Sequence, residues 1–219
     1  EQDIVKLFGA RGNQFSEVCK FADELRRQVN GDTVTYVVNR NINYTNICWV
    51  KCNFCAFYRK PGAEGGYLLS DEEICAKIEE LIQLGGDEPK SCEILMQGGL
   101  NSKLKIDYYE RLFSLIRDNY PQVQLHCLSA TEIIYIAHLS RLSIEQTLSR
   151  LVSAGLDSIP GAGAEILVDR VRNIIGKGKD LTDEWLEVHR IAHRLGVSTT
   201  ATMMYGHVES VDERIEHLA

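Results

Sequence analysis

Three cysteines stand within eight residues: Cys48-Trp49-Val50-Lys51-Cys52-Asn53-Phe54-Cys55, a Cys-x3-Cys-x2-Cys spacing. Thiolates at this density are soft donors suited to zinc or to iron–sulfur chemistry. Four would satisfy a tetrahedral zinc ion or every iron of a 4Fe–4S cube, and no fourth cysteine follows nearby. Three on a cube leave one iron open, and an open iron can bind a small molecule through an amine and a carboxylate. His126 and His138 are distant and out of ligand spacing. The competing readings are a zinc knuckle completed by a remote ligand and a trio of cysteines with no metal. The other four cysteines, Cys19, Cys75, Cys92 and Cys127, lie singly in apolar surroundings and read as small core residues.

The elements around the trio alternate between strand-like and helix-like runs. Residues 14–29 read as a first helix, with Phe15, Val18, Cys19, Ala22, Leu25 and Val29 at inward spacing. The β-branched stretch from Thr33 to Val38 reads as a strand that precedes the cysteine cluster. Ser70 and Glu73, Ser129 and Glu132, and Ser143 and Gln146 each have the spacing of a capping box at a helix start. Gly85-Gly86, Gly155 and Gly196 stand where helices end. Strands are expected at Cys92–Met96, Val123–Leu128, Asp157–Ile159 and Val197–Met204. Strands joined by helical crossovers make parallel β/α units. About five such units follow the first helix, fewer than the eight of a ~250-residue barrel. The expected fold is therefore α/β, a partial TIM-type (β/α) barrel cut short at its C-terminal side, in one domain over 1–219 with 1–38 preceding the barrel.

Composition narrows the function. With 24 Lys plus Arg against 31 Asp plus Glu, the net charge of −7 argues against a nucleic-acid binder or a polybasic membrane anchor. At 44% hydrophobic and 25% charged, the chain has a globular rather than a disordered composition. No apolar run approaches the ~18 residues that span a bilayer. Glu1-Gln2-Asp3-Ile4 has no basic or apolar leader character, and the expected setting is cytoplasmic.

The cysteine spacing with Phe54 just before the third cysteine resembles the radical S-adenosylmethionine (SAM) superfamily, whose mark is Cys-x3-Cys-x-aromatic-Cys after the first barrel strand. The resemblance implies that Cys48, Cys52 and Cys55 hold a 4Fe–4S cluster, that its open iron chelates SAM, and that Phe54 lies against the adenine. Further runs, Asn39–Asn46, Cys55–Arg59, Gln97–Asn101 and Ala164–Leu167, resemble the branch acting on futalosine-type and deazaflavin precursors. Asn41–Tyr44 with Thr200–His207 is most similar to the dehypoxanthine futalosine cyclases of menaquinone biosynthesis. The sister families, aminofutalosine synthases and deazaflavin synthase subunits, are the alternatives within enzymes. An iron–sulfur or zinc binding module is the alternative outside them. The resemblance implies a small-molecule substrate, dehypoxanthine futalosine, and an electron donor such as flavodoxin or ferredoxin.

Other residues take roles by position. Gln97-Gly98-Gly99 matches the family's Gly-Gly-Glu motif, which binds the methionine amine; an ordinary strand-to-helix turn is the plainer reading. Glu165 after the Gly-rich run could accept bonds from a ribose diol or the methionine ammonium, or simply balance a helix N-terminus. Arg170 could reach the methionine carboxylate, though a surface arginine fits equally. Ser129 is a candidate cofactor contact, although capping already explains it. His207 could accept a proton near the substrate. Gly206-His207-Val208-Glu209 resembles the strand-five motif near the adenine, against the alternative of a turn leading into the next helix.

Overall fold

The computed structural model describes residues 2–85 and 92–219; Gly86, named above as part of a helix end, lies outside them. The described residues fall into two compact units, Val37–Met204 and Glu1–Tyr36 with Tyr205–Ala219. The chain enters through α1 (Gln2–Gly9) and α2 (Asn13–Asn30). It then alternates through β1 (Val38–Asn43), α3 (Asp71–Gly85), β2 (Cys92–Gln97), α4 (Ile106–Asn119), β3 (Val123–Cys127), α5 (Ala130–Ser140), α6 (Ile144–Ala154) and β4 (Ser158–Ile159). It continues with α7 (Asp169–Ile175), α8 (Thr182–Arg194), β5 (Ser198–Thr199) and α9 (Val211–Leu218).

The larger unit is the α/β fold the alternation predicts. Its five strands are all parallel and stand in chain order, β1-β2-β3-β4-β5. Period-two alternation divides the sheet into two faces. Ile42, Ile94, Met96, Leu125, Cys127 and Ile159 are buried in one core with Ile74, Ile78, Leu112, Phe113, Ile133 and Leu148 of the covering helices. Each such side chain contributes about 1.5–3 kcal/mol by leaving water. The opposite face carries Asn41, Leu95, His126 and Ser158 in register across β1 to β4. His126 is half-buried there, with Nδ1 2.6 Å from Ser158 Oγ. Cys92 and Cys127 are core residues as expected, whereas Cys19 is exposed.

Local signals position the helices. Serine hydroxyls and Glu or Gln carboxyl or amide groups close capping boxes at Ser129, Ser143 and Ser210. Ser70 does the same, accepting from Glu73 N at 3.2 Å while its own N–H donates to Glu73 Oε2 at 2.7 Å.

Several expectations fail. Residues 33–37 are not a strand: β1 begins at Val38, opposite Cys92 of β2, and Val34 and Tyr36 are about nine-tenths exposed at 89% and 90%. β-propensity without a partner strand forms no ladder. β5 is only two residues long, not the full Val197–Met204 run. Beyond it Thr202 Oγ1 and Met204 N turn back to bond Gly161 O and Glu165 O. No residue of α2 is buried, so its periodic apolar face is not a core face. The short helix α7 had no sequence expectation.

In the smaller unit α1 packs on α9, and Ala10 and Ile215 are buried. Among the described residues no helix is long and apolar enough to cross a membrane.

Candidate active site at the cysteine loop

β1 delivers the chain to Tyr44, and the next 25 residues return to Leu69 as a loop closed at its neck. Leu69 N donates to Tyr44 O at 2.8 Å, and Thr45 Oγ1 donates to Tyr67 O at 2.6 Å. A second tie lies further in, where Arg59 N donates to Asn46 O at 2.8 Å and Cys48 N to Arg59 O at 2.9 Å. Past this tie a turn from Cys55 N to Cys52 O, 3.2 Å, brings the last two cysteines together. Asn53 pins the turn to the end of α7 through Ile175 O at 2.7 Å and Ile174 O at 2.9 Å.

The Gln97-Gly98-Gly99 turn after β2 fits against this loop because it has no side chain at its two glycines. A Cβ on Gly98 would sit 2.7 Å from the Tyr44 ring, and one on Gly99 would sit 2.4 Å from Ile47 O and 2.9 Å from Cys48 Cβ. Gly99 N also donates to Thr45 O at 2.9 Å.

Cys48, Cys52, Cys55, Phe54, Gln97, Gly98, Gly99, Ser129 and Glu165 all line one cavity of about 280 Å³. The sequence reading is thus brought together from the ends of β1, β2, β3 and β4. Arg170 is exposed and is not among the lining residues, while Arg172, two residues on in α7, is buried at 3% exposure. The helical register turns 172 inward and 170 outward. His207 belongs to the smaller unit. There Glu209 accepts from Gly206 N at 2.6 Å, His207 N at 2.9 Å and Arg214 Nε at 2.8 Å. Those bonds, the Gly206 amide foremost, pull the Glu209 carboxyl down to about 2. Glu209 thereby organises its own turn into α9, the plainer of its two readings.

Of the residues that the sequence did not mark as site residues, Lys179 and Thr131 complete the wall, and Arg172 with Asp180 braces the loop behind it. Lys179 Nζ bonds both oxygens of Glu165 at 2.9 Å, so Glu165 faces the cavity already paired. Glu165 also holds a left-handed backbone, φ 44°. Arg172 donates to Gly163 O, Ala164 O and Asp180 O at 2.7–3.0 Å and to Asp180 Oδ2 at 2.6 Å, fixing the loop that carries Glu165. Thr131 lines the cavity beside Ser129. No local pattern announces Lys179 or Asp180, because their partners are 14 and 8 residues away across a turn.

Burial pushes the Cys52 thiol up to about 11, opposed by the Lys179 ammonium and reinforced by Glu165. Burial raises Cys48 as well. Such thiols hold their protons at neutral pH until a metal displaces them. No three His, Cys, Asp or Glu side chains among the described residues are grouped to hold a single metal ion. Three thiols lining one cavity are the donor type that iron–sulfur groups take. Two further observations fit a polar ligand beside it: Gln97 Nε2 and Thr131 Oγ1, both on lining residues, are buried without a hydrogen-bond partner.

The sequence signature of the radical SAM superfamily matches residues 42–219. The chain belongs to that superfamily. Members of the radical SAM superfamily use a 4Fe–4S cluster and SAM. The donor set, the side-chain-free turn and the unpaired polar atoms fit both groups. The fold agrees: methylornithine synthase superposes with a TM-score of 0.74 at 15% identity, covering 99% of this chain and 59% of that one. Two curated relatives carry the name 5-amino-6-(D-ribitylamino)uracil–L-tyrosine 4-hydroxyphenyl transferase. The one from Methanococcoides burtonii is 46% identical over 92% of this radical SAM chain and 54% of its own length. The one from Synechocystis is 48% identical over 100% of this chain and 56% of its own length. The chain spans about half the length of the curated relatives it matches. Those names lie on the deazaflavin side of the branch, so the futalosine cyclase and menaquinone expectation gives way to its alternative.

Proposed function

We propose that the chain is the SAM-cleaving core of a deazaflavin synthase subunit, acting on L-tyrosine and 5-amino-6-(D-ribitylamino)uracil. The observation that carries this reading is the convergence of Cys48, Cys52 and Cys55 with the Gln97-Gly98-Gly99 turn on one cavity, in a chain 46–48% identical to transferases of that name.

Cys48, Cys52 and Cys55 would hold the cluster, leaving one iron for the methionine end of SAM. When bound, that pair supplies a carbon-centred radical by one-electron cleavage of the sulfonium. The chain's own share is orientation and exclusion of water. Gly98 and Gly99 admit the ligand close to backbone. Phe54, 44% exposed on the loop, offers an aromatic face to the adenine. The unpaired Gln97 Nε2 and Thr131 Oγ1 are free to bond its polar groups. Glu165, held by Lys179, and Ser129 stand ready for the ribose. A flavodoxin or ferredoxin is the candidate electron donor.

The test is anaerobic reconstitution followed by assay of 5′-deoxyadenosine. Four irons and four sulfides per chain, with cleavage stimulated by L-tyrosine, support the reading. Stimulation by dehypoxanthine futalosine instead returns the chain to the cyclase branch. One zinc ion and no cleavage overturns the enzyme reading altogether.

A further inference from the structure

Glu132 looks like a helix cap, and its Oε2 does accept from Ser129 N and Ser129 Oγ, both at 2.8 Å. A cap needs nothing more. Yet Oε1 reaches away from the helix, accepting from Gly98 N and from Tyr44 Oη, both at 2.9 Å. Tyr44 is itself fully buried and has its hydroxyl 3.1 Å from that of Tyr109. One carboxylate, 3% exposed, therefore joins the C-terminal ends of β1, β2 and β3. These are the ends that carry the cysteine loop, the Gly98-Gly99 turn and Ser129. A carboxylate has about four acceptor sites, and four donors occupy these. Glu132 thus has no acceptor left for a ligand, although it borders the cavity. Among the cavity-lining residues, the two that adjoin its contacts, Gln97 before Gly98 and Thr131 before Glu132 itself, have buried unpartnered polar atoms.

We propose that Glu132 is a positioning residue for cofactor binding: it fixes the Gly98 turn and the start of α5 so that Gln97 and Thr131 present their polar atoms to SAM. This rests on the reading of the cavity as a SAM site.

Glu132→Gln keeps the shape but replaces one acceptor oxygen with an NH2, leaving Gly98 N–H or Ser129 N–H facing a donor. The expected result is a folded chain that takes up its full complement of iron but binds SAM roughly tenfold or more weakly, as a ~1 Å misplacement implies. SAM affinity is read by equilibrium dialysis and by the change SAM makes in the reduced cluster's EPR spectrum. The KM for SAM rises while kcat changes less, and the Gly98 amide exchanges faster with deuterium. Ile78→Val, a core change in α3 away from the cavity lining, controls for destabilisation alone and keeps wild-type affinity. Wild-type affinity in E132Q overturns the inference. If E132Q does not fold, Tyr44→Phe, which removes the hydroxyl donor to Oε1, lies off the cavity lining and leaves the carboxylate in place, carries the test: weaker SAM binding supports the inference and unchanged binding overturns it. If the wild-type chain itself binds no SAM, the SAM-site reading falls first and the inference falls with it.

Discussion

A methyl group placed on Gly99 has nowhere to go. Its carbon would stand 2.4 Å from Ile47 O, 2.8 Å from Ile47 C and 2.9 Å from Cys48 Cβ. Ordinary contacts begin near 3.5 Å, so the overlap with the Ile47 carbonyl is about 1 Å. The obstruction is backbone, which no rotamer change can clear. The Ile47-Cys48 segment must therefore retreat by about that distance, straining the 2.9 Å bond from Gly99 N to Thr45 O. Overpacking of this kind costs about 1–3 kcal/mol. In a chain of 219 residues each kcal/mol moves Tm by roughly 2–4 °C, so Gly99→Ala is expected to melt about 2–12 °C lower. The larger consequence is chemical, because Cys48 moves with the segment. Ligand sets displaced by more than about 0.5 Å lose their site, so anaerobic reconstitution is expected to yield roughly half the wild-type iron or less. Iron and sulfide per chain, measured beside the thermal midpoint, decide the matter. Full iron with a Tm within about 1 °C of wild type would refute the claim that this glycine seats the cysteine loop.

Arg172→Met leaves Asp180, a buried carboxylate, without its cation. Breaking such a pair is expected to cost about 3–5 kcal/mol, read as a lower urea midpoint, and Arg172→Met with Asp180→Asn should recover part of it. His189 is buried against Trp185, with ring centroids 3.8 Å apart, and burial, aided by His193, holds its pKa down to about 4. The unfolded imidazole takes its proton near 6.5, so between those values the unfolded chain binds more protons. The contribution of His189 is therefore whole above about pH 6.5 and is lost as the pH falls toward 4, by up to about 3 kcal/mol. His189→Phe, which keeps a ring over Trp185, should lose less stability than wild type between pH 7.5 and pH 5 in urea titrations; an unchanged pH slope would count against the assignment.

The capped helices were legible because their signals are local, whereas α1 and α7, which carry no such signal, were not. Ser70, Ser129 and Ser143 each announced a helix start, and each closes its box. The cysteine spacing and the Gly-Gly turn were legible for the same reason. What escaped depends on partners far along the chain. Thr33–Val38 has strand composition, but the register that pairs Val38 with Cys92 leaves most of it alone. Arg170 and Arg172 are indistinguishable until the register of α7 is known. Glu132 was fully explained by its cap three residues back, and that explanation concealed bonds spanning 34 and 88 residues. Lys179 carries no motif; only the fold brings it to Glu165.

The double tie at the neck of the 44–69 loop has a bearing on wear. Its main-chain bonds, between Leu69 and Tyr44, Arg59 and Asn46, and Cys48 and Arg59, are joined by one hydroxyl bond, Thr45 to Tyr67, and none passes through sulfur. A cradle laced shut by its own peptide groups is expected to keep its outline when its inorganic contents corrode away. Damage by oxygen then calls for fresh iron and sulfide, not for a new polypeptide.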